Sequence, residues 1–162
     1  MKFRTDLLLK TKSPRGSVSY NDARTIGILF TVEDKVKHEA VKEFIKKFEA
    51  DGKQVKVIEF LPSDKQNYEF KFDFFTENEL SFWGKITSAD AMKFVEQPFD
   101  FLFYLDTEPN PMLLHLLARS KARCRVGRVW DNSDQYFEFM LNSDPNIKSL
   151  VETIRRYIIQ IK

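Results

Sequence analysis

Cysteine appears once in the 162 residues, as Cys124, so no disulfide can form within the chain. That suits a reducing compartment, and a cytoplasmic location is the expectation. Histidine appears twice, as His38 and His115, and neither has a partner at ligand spacing. With a single cysteine beside them, no metal site is expected. Glycine occurs five times and never in a cluster, so no Gly-rich phosphate loop of the dinucleotide or P-loop kind exists. No serine stands in a G-x-S-x-G elbow. No catalytic residue and no cofactor is therefore assigned, and whether the chain is an enzyme stays open. Long apolar runs are missing as well, which argues against a membrane span, and Leu7-Leu8-Leu9 is too short for the core of a secretory signal. An excess of one charge is also lacking. The formal net charge is only +2, so no global field demands a polyanionic partner.

What the chain does have is phenylalanine, 16 residues of it, within a hydrophobic share of 43%. A core held by ring–ring packing follows. The length fits one domain. Residues 1–24 carry Lys2, Arg4, Lys10, Lys12, Arg15 and Arg24 against only Asp6 and Asp22. They are expected to form a basic, partly ordered leader, with residues 25–162 as a single α/β domain.

Within that domain, Phe99 to Asp106 is a short aromatic run bounded by Pro98 and Pro109, the pattern of a strand buried on both faces. Thr25 to Thr31 is a second continuous strand, and Gln54 to Leu61 a third. Between these two, Val36, Ala40, Val41, Phe44, Ile45 and Phe48 recur at helical spacing over Lys35 to Ala50, and Gly52 ends that helix. Strand, helix and strand make a right-handed βαβ unit. Tyr68 to Phe75 alternates and predicts an edge strand with Phe70, Phe72 and Phe74 on one face. Ser88 caps a helix to about Gln97, Pro111 opens another to about Ala122, and Asp144-Pro145 opens the last. Cys124 to Val129 and Tyr136 to Leu141 complete the strands. The expected fold is a three-layer α/β sandwich on a mostly parallel Rossmann-like or flavodoxin-like sheet of five to six strands.

Three constellations carry chemistry. The first lies where open α/β sheets place their crevices, beyond the carboxyl ends of the strands. Thr31, Glu33 and Asp34 follow the first strand; Asp106, Thr107 and Asn110 follow the aromatic one. If those strands are neighbours, their acidic tips converge, and Arg128 beyond the next strand is placed to join them. Thr31, Asp34, Asp106, Thr107, Asn110 and Arg128 are thus the candidate ligand-binding set. The alternative is structural, with Asp34 a helix cap and Asp106 or Asn110 a turn stabiliser. The second is Arg119, Lys121, Arg123 and Arg125, a basic patch suited to an anion; the alternative is a helix C-terminus and the wet side of an edge strand. The third is Phe82-Trp83-Gly84-Lys85 with Trp130, able to stack a base or sugar or to fold back on the core.

Over TIGILFTVEDKVKHEAVKEFIKKFEADGKQVKVIEFL, FDFFTENELSFWGK and FDFLFYLD…LLHLLARSKARCRVGR, about residues 24–141, the chain resembles a family of short bacterial α/β proteins of unknown function. From Leu105-Asp106 through Leu117-Ala118 to Ser120–Gly127 it is remotely similar to the N-terminal, Rossmann-like half of heptosyltransferase-type glycosyltransferases. That likeness implies half of a glycosyltransferase, and no catalytic residue is carried over from it. The functional expectation is a non-enzymatic binding or interaction module for an anionic ligand or nucleic acid, with a homodimer as the expected assembly. The alternative is a small ligand-binding domain or enzyme acting on a phosphate- or sugar-containing molecule.

Overall fold

The computed structural model describes residues 15–81 and 85–162. Among these described residues, six parallel strands form one sheet: β1 (Thr25–Thr31), β2 (Gln54–Phe60), β3 (Asp73–Phe75), β4 (Phe101–Tyr104), β5 (Cys124–Arg128) and β6 (Phe139–Leu141). Among the same residues there are four α-helices: α1 (Lys35–Ala50), α2 (Ala89–Glu96) and α3 (Pro111–Arg119) lie between strands, and α4 (Ile147–Ile158) follows β6. The strand order is β3-β2-β1-β4-β5-β6, so the chain winds outward from β1 to one edge and then from β4 to the other. This is the Rossmann arrangement, and its order reverses between β1 and β4.

Each sheet face has its own core, as strand alternation demands. Ile26, Ile28 and Phe30 of β1, Phe101 and Phe103 of β4, and Cys124 and Val126 of β5 face α1 and α4. Leu29, Ile58, Phe60, Leu102 and Tyr104 face α2 and α3. Phenylalanine dominates the first layer: Phe44, Phe48 and Phe103 meet at centroid distances of 4.7 to 5.5 Å, and Phe103 stacks on Phe101. Residues 15–24 lie against the domain. Gly16 N donates to Arg123 O, Tyr20 N donates to Ile161 O, and Val18, Tyr20 and Ala23 are buried beside α1 and α4.

Three local expectations are corrected. The strand expected over Tyr68 to Phe75 is only Asp73–Phe75. Glu69 and Phe70 have positive φ, 59° and 46°, so the chain turns there and cannot alternate; Phe70 stands in solvent while Phe72 packs on Phe30. The last helix is capped by Asn146, whose side chain accepts from Ser149 N, rather than by Asp144. And β5 is no edge strand, because β6 pairs with it on the far side. Its glycine has a purpose: Phe137 lies so close over Gly127 that a Cβ there would sit 2.3 Å from the ring.

Candidate functional site

Strands β1 and β4 are parallel neighbours in register, Ile26 opposite Phe101 and Leu29 opposite Tyr104. Their carboxyl ends therefore emerge side by side at the reversal point. Asp106, two residues beyond β4, turns back toward β1. It accepts from Thr31 N at 2.8 Å and from Thr31 Oγ1 at 2.5 Å. Asn110 donates from Nδ2 to Thr31 Oγ1 at 2.7 Å, while its Oδ1 accepts from Met112 N and caps α3. Tyr104 holds the turn between them: its hydroxyl donates to Glu108 O and accepts from Asn110 N. Burial, with Asp106 nearby, raises the Tyr104 phenol well above its ordinary pKa, so it remains a neutral donor.

The side chain that completes this cluster is Lys37, on the first turn of α1. Asp34 caps that helix by accepting from Lys37 N at 2.8 Å. The cap aims the Lys37 side chain at the reversal point, where Nζ lies 2.7 Å from Asp106 Oδ1 and 2.6 Å from Glu33 Oε2. Lys37 and Asp106 are buried, at 4% and 7% side-chain exposure, whereas Glu33 is 59% exposed. A buried ion pair is costly to desolvate and survives only with its remaining hydrogen bonds in place, which Thr31 supplies here. Sequence reasoning missed Lys37. The signal was an i, i+4 relation to Glu33, but a lysine in a helix with an exposed opposite face is ordinarily solvated.

The structure thus brings Thr31, Asp106 and Asn110 together, and sets Asp34 beside them as a helix cap. Thr107 is half-buried in the connecting turn. Arg128 emerges from β5, the strand next to β4, and donates from Nε to Ser143 O at 3.0 Å.

Three members of the basic patch, Lys121, Arg123 and Arg125, have acidic partners. Arg125 is buried and makes a two-pronged pair with Glu138, at 2.9 and 2.7 Å, with its backbone N–H donating to the same carboxylate at 3.0 Å. Lys121 pairs with Glu96, and Arg123 lies 3.6 Å from Asp100. Arg119 ends α3. Of the aromatic constellation, Phe82, Trp83 and Gly84 lie outside the described residues. Trp130 packs on Tyr104, Tyr136 and Phe137 at 5.2 to 6.5 Å. It is a satellite of the α2–α3 core. His115 is buried within α3.

A protein family described as "Family of unknown function (DUF6913)" matches residues 1–161. The chain belongs to that family. No curated protein matches it. Family membership therefore assigns no reaction, and the match includes residues 1–24 as well as the residues that form the sheet and its helices. Among the described residues no helix is long and apolar enough to cross a membrane.

Proposed function

We propose that the protein is a binding domain for a small anionic molecule, phosphate-bearing by preference, seated at the rim between β1 and β4. One observation carries this reading. The Lys37 ammonium is buried at the reversal point, with Asp106 beneath it and the exposed Glu33 carboxylate against it at 2.6 Å. Glu33 acts there as an intramolecular stand-in, and an incoming phosphate or carboxylate would take its place. The amino-terminal ends of α1 and α3, positive ends of two helix dipoles, approach the same rim and favour the same sign of charge. Thr31 and Asn110 add a hydroxyl and an amide for the oxygen atoms of a sugar or phosphate.

A polyanion such as nucleic acid has less support. It would engage the basic patch, where Glu96, Asp100 and Glu138 already neutralise Lys121, Arg123 and Arg125. Inorganic phosphate, sugar phosphates and nucleoside phosphates should be titrated calorimetrically at low salt against the wild type and against Glu33→Gln. Glu33 is exposed, so its loss leaves the fold intact. Removing the internal competitor is expected to tighten phosphate binding several-fold, and Lys37→Met to abolish it. Absence of heat from every phosphate compound in both the wild type and Glu33→Gln would remove the proposal, leaving the network as a strut between β1 and β4.

A further inference from the structure

His38 follows Lys37 in α1 and points to the other side of that helix, toward the segment leading to β3. It is 2% exposed, between the rings of Tyr68 and Phe72, each 5.6 Å away. Its Nε2 is buried and has no hydrogen-bond partner among the described residues. Facing that nitrogen is Glu69 Oε2, at 3.7 Å, beyond hydrogen-bond reach. Glu39 is the third member: one ligand atom from each of His38, Glu39 and Glu69 lies within 4.8 Å of the others. The acidic side already holds a cation. Lys42 Nζ lies 2.8 and 3.0 Å from the two Glu69 oxygens and 3.5 Å from Glu39 Oε1.

We infer that His38, Glu39 and Glu69 form a binding site for a divalent transition-metal ion, zinc by preference, in which Lys42 is the resident substitute for the metal. An ammonium neutralises the carboxylates but leaves the imidazole nitrogen unsatisfied, and a buried polar atom without a partner is costly. A metal ion satisfies both. Metal–ligand distances of about 2.0–2.2 Å in a tetrahedral site place ligand atoms roughly 3.3–3.6 Å apart, close to the His38–Glu69 separation. One imidazole and two carboxylates leave a position open to water, and the order of divalent affinities favours zinc over manganese or iron. The aromatic walls of Tyr68 and Phe72 shield the imidazole side, and Lys42, 18% exposed at its side chain, has solvent to move into. This inference is independent of the phosphate reading.

The test is zinc titration of the chelator-treated full chain, followed by calorimetry and thermal unfolding, with cobalt absorption reporting coordination geometry. One ion per chain is expected, with a rise in unfolding midpoint as the folded state alone binds metal. Glu69→Gln, at a half-exposed position, should weaken binding at least tenfold, and His38→Ala likewise where it folds. Lys42→Met removes the competitor and should tighten binding. Zinc binding that survives Glu69→Gln, binding that Lys42→Met weakens, or no binding in either the wild type or Lys42→Met would overturn the assignment.

Discussion

Two buried carboxyls with opposite fates show how much neighbours decide at the scale of the residue. Asp106 has Lys37 and Thr31 around it, and both of its carboxyl oxygens accept hydrogen bonds. Glu59 is 1% exposed on β2, has an oxygen without a partner among the described residues, and burial alone raises it from 4.5 to about 7. Because the folded state then holds its proton more tightly than the unfolded chain, Glu59's contribution to stability is fully present below about pH 4.5. It falls as pH rises toward 7 and is constant above that. The loss is on the order of 3 kcal/mol at most. Denaturant unfolding at pH 5 and pH 8 should show that decline in the wild type and a much smaller one in Glu59→Gln. Asp106→Asn strands a buried ammonium with only Glu33 to answer it, and a cost of about 3 kcal/mol is expected from the same measurement at pH 7. Neither fate was legible in the sequence. Asp106 was placed at a strand tip, but its partner Lys37 lies 69 positions away and meets it only through the β1–β4 pairing.

At the scale of the element, local patterns served where one force dominated. Thr25–Thr31 and Lys35–Ala50 stand where continuous apolarity and helical periodicity put them, with Asp34 as a cap. Ser88 and Pro111 likewise open α2 and α3. The segment before β3 escaped because its alternation was accidental: Glu69 and Phe70 adopt left-handed backbone, a conformation that no periodicity announces. The end of α3 was overextended for a different reason: Ser120 leaves the helical region and Lys121 N donates to Val95 O instead. The packing of β5 yields a sharp expectation. Gly127→Ala would drive a methyl group into the ring of Phe137, itself buried, and displace the aromatic cluster with Tyr104 and Trp130. Overpacking of this kind costs about 1–3 kcal/mol, readable as a lowered unfolding midpoint with altered tryptophan fluorescence.

For the whole molecule, the polar clasp around Tyr20 ties three distant parts of the chain together. Its hydroxyl donates to Asp51 at 2.5 Å, beyond the end of α1, and accepts from Arg155 of α4 at 3.0 Å; Arg155 and Asp51 pair directly at 2.8 Å. Its ring packs on Phe48. Burial, followed by the bond to Asp51, pushes the phenol up to about 12. Tyr20→Phe keeps the ring and the Arg155–Asp51 pair, so a loss of about 1 kcal/mol is expected; Tyr20→Ala removes the ring from the α1–α4 face and should cost about 3 kcal/mol or more. Equal effects of the two variants in chemical denaturation would mean the clasp, not the packing, holds residues 15–24 to the domain.

The sequence by itself determined the class of this protein. An apolar aromatic strand, helices between strands, and the lack of glycine loops, cysteine pairs and spanning runs suffice for a parallel α/β sandwich, because secondary-structure period and burial are properties of neighbouring residues. Only the tertiary structure decided which ionisable groups lie next to one another. Lys37 with Asp106, Arg125 with Glu138, and His38 with Glu69 are separated by 69, 13 and 31 positions. The last two pairs depend on the pairing of β6 with β5 and on a left-handed turn before β3. Electrostatic partnership depends on distance through space, and the chain specifies that distance only after the sheet has chosen its order.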